Sequence, residues 1–210
     1  MLILGINTTG DACEAALLND DAIVAELSEP MNQGHDARLA PVVQQVMAMS
    51  GTTFADLHRI AVIVGPGSFT GLRTGVAFAR GLSLALGVPA IGVTSLEALD
   101  NLPMDQRVLG LLPAKRRPPE QTWWAQVLAN GRGAGEALEL DAEGIRTHAA
   151  GMDAVCGGLA DVADAGIPRI TAVPTARAAA RFAARLAPGD LPPPRPVYVR
   201  EPDATPMRRP

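Results

Sequence analysis

The chain is 210 residues long, 48% hydrophobic and only 3% aromatic, with a net charge of −4 and two cysteines. This is enough apolar material for a core of Ala, Val, Leu and Ile, and the acidic balance argues against a general nucleic-acid binder. No apolar run reaches the roughly 20 residues that cross a bilayer, and the start reads as a strand rather than a signal peptide. Cys13 and Cys156 lie far apart in apolar runs, so the expectation is a cytoplasmic protein with two buried free thiols.

In chain order, residues 2–7 read as a buried strand that ends in Asn7-Thr8-Thr9-Gly10. Residues 14–18 and 22–28 read as two more strands, joined by the turn residues Asn19-Asp20-Asp21. Asp36 is placed to cap a helix that runs to about Ser50. Its apolar positions Leu39, Val42, Val43, Val46 and Met47 repeat with the helical period, and Pro41 falls near enough to its first turn to be tolerated. Next come a strand over 60–64, the turn Gly65-Pro66-Gly67-Ser68-Phe69-Thr70 and a helix over 71–86. Ser68 or Thr70 is its cap, and Gly87 and Pro89 form its stop. A strand over 90–93 follows, and Thr94-Ser95-Leu96-Glu97 is a capping box that opens a short helix. The order βββαβαβα defines one three-layer α/β unit.

The second half is less regular. Residues 107–112 and 122–128 read as strands around a loop that starts at Pro113, 131–135 as a loop, 154–157 as a strand and 175–187 as an Ala/Arg helix. Adjacent Trp123 and Trp124 in a strand predict one ring inward and one outward as a contact. Eight of the 18 prolines fall within 188–210, which predicts an extended tail, with Val197-Tyr198-Val199 docked on the body and residues beyond about 202 disordered. The first hundred residues hold 10 acids against 4 bases and the rest 12 against 14. The basic residues gather at 115–117, at Arg195, Arg200, Arg208 and Arg209, and at Arg177, Arg181 and Arg185. The last three share one helical face, read as solvated.

The chemistry suggested by the glycine turn is incomplete. A strand, a glycine loop and a helix N-terminus together favour an anion, yet Leu72 follows Gly71 where a P-loop has Lys. Gly65, Gly67 and Gly71 also miss the dinucleotide spacing by one residue. Ser68, His35 and Asp36 could be named as a triad, but Ser68 does not sit in a nucleophile elbow. His35 has Leu39 four residues on, so a second imidazole for a metal is missing from its face, and a structural role at the helix start is the expectation.

The stretch Gly65-Pro66-Gly67-Ser68-Phe69-Thr70-Gly71-Leu72-Arg73-Thr74-Gly75 closely resembles the hallmark of the TsaB (YeaZ) family. Further matches are the opening strand with its Asn7-Thr8-Thr9, the segment from His35 to Pro41, the stretches 81–89 and 92–99, and Pro196-Val197-Tyr198-Val199-Arg200. The resemblance implies an α/β protein of the actin/Hsp70-like (ASKHA) fold with two βββαβα-type subdomains, the second reduced. The boundaries are 1–102, 103–190 and a Pro-rich tail over 191–210. It also implies a non-catalytic assembly subunit for a TsaD-like enzyme that makes the threonylcarbamoyl group on adenosine 37 of tRNA. A TsaE-like ATPase joins that complex, the chain forms a homodimer when alone, tRNA contact is indirect or weak, and no cofactor, metal or membrane is involved.

The paired helices are the interface that the resemblance implies. Leu39, Val42, Val43 and Val46 on the first helix and Gly71, Gly75, Val76 and Ala79 on the second are its candidate residues. The small residues Gly71, Gly75 and Ala79 recur every four positions and leave a groove for another helix, expected to be at or beside the subunit interface, with the helix over 36–50 of the same chain as the alternative occupant. Asn7 stands where the family usually has Asp, and actin-like ATPases use an acid there to hold a metal–phosphate complex. An amide keeps the shape but not the charge that a hard cation favours, so ATP turnover is not expected. The alternative is a TsaD-like carbamoyltransferase or glycoprotease in its own right; a sugar or acetate kinase on the same fold fails for lack of a second phosphate loop and an acidic base.

Overall fold

The computed structural model describes residues 1–31, 33–117, 120–158 and 166–197, with the backbone alone at 115–117 and 120. The first unit consists of β1 (Leu2–Asn7), β2 (Ala12–Asn19), β3 (Ala22–Pro30), α1 (His35–Ser50), β4 (Arg59–Ile63), α2 (Phe69–Leu86) and β5 (Ala90–Val93). The second consists of β6 (Arg107–Arg117), β7 (Glu120–Ala129), β8 (Arg132–Gly133), β9 (Leu138–Leu140), α3 (Ala142–Ala149), β10 (Ala154–Gly157) and β11 (Arg169–Ile170), and α4 (Ala176–Ala184) follows.

The first sheet has the order β3-β2-β1-β4-β5, and the second β11-β10-β6-β7-β8 with β9 also on β7. In each, an antiparallel hairpin continues into parallel neighbours of the central strand, β4 beside β1 and β10 beside β6. The second sheet therefore repeats the order of the first, with a long central hairpin β6–β7 and short strands around it. This is the two-subdomain arrangement with a reduced second half.

Alternation along the strands divides the first core in two. Leu2, Leu4 and Ile6 face α1 and α2 together with Val42, Val46 and Val76. Ile3, Ala61, Ile63 and Ile91 face the other way, onto Ala179, Ala180, Phe182 and Ala183 of α4. The chain order assigns α4 to the second unit, but α4 closes the first sheet from behind. In exchange, Leu96 and Leu99 of the segment after β5 enter the core of the second sheet with Val108 and Leu128. The boundary at 102 thus separates the chain but not the two packed bodies.

Several expectations change. The Thr94 capping box is present, with Glu97 N donating to Thr94 Oγ1 at 3.2 Å and Thr94 Oγ1 donating to Glu97 Oε2 at 2.8 Å. It opens only one turn, because Leu99 then bridges to Pro174 in an extended pairing. Asp36 does not cap α1. Gly34, at φ 88°, occupies that place without a side-chain bond, and Asp36 sits in the first turn, where its charge still suits the dipole. Pro113 does not start a loop, since β6 continues through an irregularity at 113–115 and keeps pairing with β7 to Arg117. Proline is tolerated at such a bulge because a ladder donor is already missing there. Residues 132–133 pair with β7 inside the expected loop.

Trp123 and Trp124 are both buried. Trp123 faces Ile145 and Ala149 of α3, and Trp124 faces the opposite cluster around Leu96, because both faces of the second sheet are covered. The strip of arginines on α4 is not simply solvated. Arg177 Nε donates to buried Asp100 at 2.7 Å and its Nη1 to Glu26 at 3.2 Å, and Arg181 reaches Asp100 at 3.6 Å. The tail runs extended, with Gly92 N donating to Pro192 O and Val197 N to Val64 O. Docking of Tyr198 and Val199, the character of residues beyond 202, and Arg200, Arg208 and Arg209 lie outside the described residues, as do the side chains of 115–117.

Candidate functional site

Two features could carry function: the cleft between the sheets and the outer surface of the helix pair. The cleft forms where β1 and β4 end. Ser68 caps α2, its Oγ accepting from Gly71 N at 3.3 Å, as the sequence suggested. The turn before it is fixed from two sides. Ser68 N donates to Thr9 O and Ser95 N to Gly65 O, and Ser95 Oγ donates to Pro66 O at 2.7 Å. Phe69 is exposed, and the Arg73 guanidinium lies 3.7 Å over its ring.

The cleft encloses about 620 Å³. Its first wall is polar, with Asn7, Thr9, Asp11, Glu14, Gly67 and Ser68, and its second is mostly apolar, with Leu112, Ala114, Trp124, Val173 and Pro174. The polar groups of the floor are largely engaged. Asn7 Oδ1 accepts from Thr9 N at 3.0 Å and Thr9 Oγ1 at 2.8 Å, while Nδ2 donates to Glu14 Oε2 at 2.9 Å and Pro174 O at 3.1 Å. Glu14 also accepts from Ser28 Oγ and Ala176 N.

The actin-like fold implies a metal–nucleotide complex in this cleft, and the residues do not fit one. The position for a ligating acid holds an amide whose four hydrogen-bonding sites are all in use. The turn brings no lysine, and among the described residues no three His, Cys, Asp or Glu side chains gather as a metal site. His35 is buried at the start of α1, with Nε2 unpartnered among the described residues, and Leu39 one turn on belongs to the core. Both thiols are buried, and burial pushes each up to about 11, with Glu29 adding to the effect at Cys13. They are poor nucleophiles.

The residues expected at the interface lie elsewhere than expected. Leu39, Val42, Val43, Val46, Gly71, Gly75, Val76 and Ala79 are all buried within the chain. The Gly71/Gly75 groove receives the end of β1. Thr8 Oγ1 donates to Gly71 O at 2.7 Å, and a Cβ at Gly75 would stand 2.5 Å from Thr8 Oγ1. The outward residues of the pair are different ones. On α2, Arg73, Ala77, Arg80, Gly81, Leu84 and Ala85 are exposed, and on α1 Ala37, Ala40, Gln44, Ala48 and Met49 are exposed. Leu84 is 87% exposed.

Glu14, Arg59 and Asp100 escaped the sequence reading. Their signals were an acid inside the apolar strand β2, a base that opens the apolar strand β4 and an acid directly after Leu99.

Comparison with known proteins agrees with this geometry. The family described as "TsaD: tRNA N6-adenosine threonylcarbamoyltransferase" matches residues 27–111. YeaZ from Pseudomonas aeruginosa superposes with a TM-score of 0.71 at 24% identity, covering 94% of this chain and 99% of that one. The fold is thus the actin/Hsp70-like α/β fold with a reduced second subdomain. The "tRNA threonylcarbamoyladenosine biosynthesis protein TsaB" of Escherichia coli is 34% identical over 146 residues, 68% of this chain and 62% of its own length. An uncharacterised protein of Mycobacterium bovis is 32% identical over 208 residues, 98% of this chain and 94% of that one. This chain belongs to the TsaB/YeaZ family. Among the described residues no helix is long and apolar enough to cross a membrane.

Proposed function

We propose that the chain is a non-catalytic assembly and activating subunit for a TsaD-like enzyme in threonylcarbamoylation of tRNA adenosine 37. One contrast carries this reading. The cleft where the fold's enzymes do chemistry has its polar floor engaged internally, whereas the outer face of α1 and α2 leaves apolar side chains such as Leu84 uncovered. Exposed apolar residues grouped on one surface favour a protein partner. The TsaB relatives and the match to the TsaD family support the pathway and the kind of partner.

On this reading the helix pair meets the TsaD-like subunit, or a second copy when the chain is alone. A TsaE-like ATPase joins the assembled pair, and tRNA is held mainly by the other subunits. The test is reconstitution with the TsaD-like and TsaE-like proteins of the same genome, tRNA, ATP and the threonylcarbamoyl donor. Product should form only when this chain is present, and the chain alone should form none. Turnover by the chain alone, or full turnover without it, would reject the proposal.

A further inference from the structure

The floor of the cleft coincides with the joint between the two bodies. The chain leaves the first sheet after β5 and returns from β11 through residues 171–175 into α4. These two crossings are zipped together: Asp100 N donates to Val173 O at 3.0 Å and Thr175 N to Ala98 O at 3.1 Å, beside the Leu99–Pro174 bridge. Any rotation of the second sheet against the first must bend or carry this joint.

Asn7 and Glu14 grip the returning strand at that point. Asn7 Nδ2 holds the Pro174 carbonyl, and Glu14 Oε2 accepts both from Asn7 Nδ2 and, at 3.2 Å, from Ala176 N at the start of α4. A carboxylate suits a helix N-terminus, where N–H groups lack intrahelical partners. At the other end of α4, buried Arg59 donates from Nη1 to Ala183 O at 2.6 Å and Leu186 O at 2.8 Å. Each end of α4 is therefore held by the opposite charge from the first unit. At its start the fit is close enough that a Cβ on Gly5 would overlap the Ala176 carbonyl oxygen.

We propose that the Asn7–Glu14 pair is a bolt that fixes the angle between the two bodies and holds the cleft at one width. Position 7 needs a donor for this task. An aspartate would set a carboxylate oxygen against Glu14 Oε2 and the Pro174 carbonyl, where Asn7 now gives two hydrogen bonds. Like charges at that separation repel, and the acceptors lose their donor. The asparagine is then a working part of a rigid scaffold, not a damaged metal ligand.

The test is single-molecule FRET on the full chain, with dyes at Gln45→Cys on α1 and Leu138→Cys on β9. Both positions are exposed and the native thiols are buried. The unaltered bolt should give one narrow distance peak. Asn7→Asp and Glu14→Ala should broaden or split it, with circular dichroism confirming that each is folded. Glu14→Gln should keep it narrow, because its amide oxygen accepts the same two bonds while its nitrogen donates to Ser28. If Asn7→Asp does not fold, Glu14→Ala and Glu14→Gln decide. A broad peak in the unaltered chain, a narrow peak in every folded bolt variant, or a Glu14→Gln peak as wide as that of Glu14→Ala would overturn the proposal.

Discussion

The two faces of the first sheet are covered by helices of different kinds. On one face lie α1 and α2, close in sequence to the strands they cover, with apolar inner stripes and an outer surface of Ala, Gly, Gln, Met and Leu interspersed with the charged Asp36, Arg38, Arg73 and Arg80. On the other lies α4, contributed from beyond the second sheet and held at its ends by Glu14 and Arg59 and along its flank by Asp100. Charged groups fasten the long-range helix, where placement depends on direction as well as burial. The local pair is seated mainly by its apolar inner stripes, with Arg38 of α1 paired to Glu29 of β3 at 2.6 Å, and its outer face leaves Leu84 and Met49 exposed. One face holds the molecule together, and the other is left for a partner.

The sharpest way to break this comparison is to remove what secures α4. Phe182 is buried against β1, β4 and β5, so Phe182→Ala should cost about 3–5 kcal/mol. Thermal unfolding measures this. A loss under about 1 kcal/mol would mean that α4 is not part of the first core.

Alkaline pH tests how closed the other face is. Cys13 lies under α1 and Cys156 in the second core, each thiol raised from 9.0 to about 11. A thiol neutral when folded and ionised when unfolded favours the unfolded chain as pH rises. Stability should thus be full below pH 9 and fall between 9 and about 11, by on the order of 2–3 kcal/mol for each thiol. Denaturant titrations at stepped pH read the slope, which Cys13→Ala and Cys156→Ala should each reduce. A flat profile, or rapid alkylation of native Cys13 at neutral pH, would show α1 to be open.

Gly75→Leu probes the inward groove. Because Gly75 abuts Thr8, the substitution should destabilise the monomer by about 1–3 kcal/mol. A variant that melts like the parent but no longer pairs would return the groove to the interface.

The legible part of the molecule was the local part. β1, β5 and β10 were bounded correctly because short apolar runs end at turn residues, and so was the end of α2 because Gly87 stops it, although α2 starts at Phe69, directly after its cap Ser68, and not at 71. The helix α3 was missed, although Asp141 caps Gly144 N and Ile145 and Ala149 repeat at helical spacing, since eight residues give little periodicity. The placement of α4 was not legible at all. It depends on Glu14 and Arg59 meeting residues more than a hundred positions away, and the sequence shows them only as unexplained charges beside apolar strands. For the same reason the interface candidates could not be told apart from core residues in the sequence, and the structure buries them within the chain. Small and apolar residues at helical spacing mark a packed face, but not whether the chain itself or a partner packs there.

The central claim is that the outer helix face, and not the cleft, carries this chain's contribution. Leu84→Arg changes an 87% exposed side chain and should leave monomer stability within about 0.5 kcal/mol. Asp11→Ala removes an exposed carboxylate of the cleft. In the reconstituted threonylcarbamoylation assay, Leu84→Arg should abolish both binding of the TsaD-like subunit and its activation, while Asp11→Ala should match the unaltered chain. Loss of product with Asp11→Ala, together with full activity of Leu84→Arg, would contradict the account.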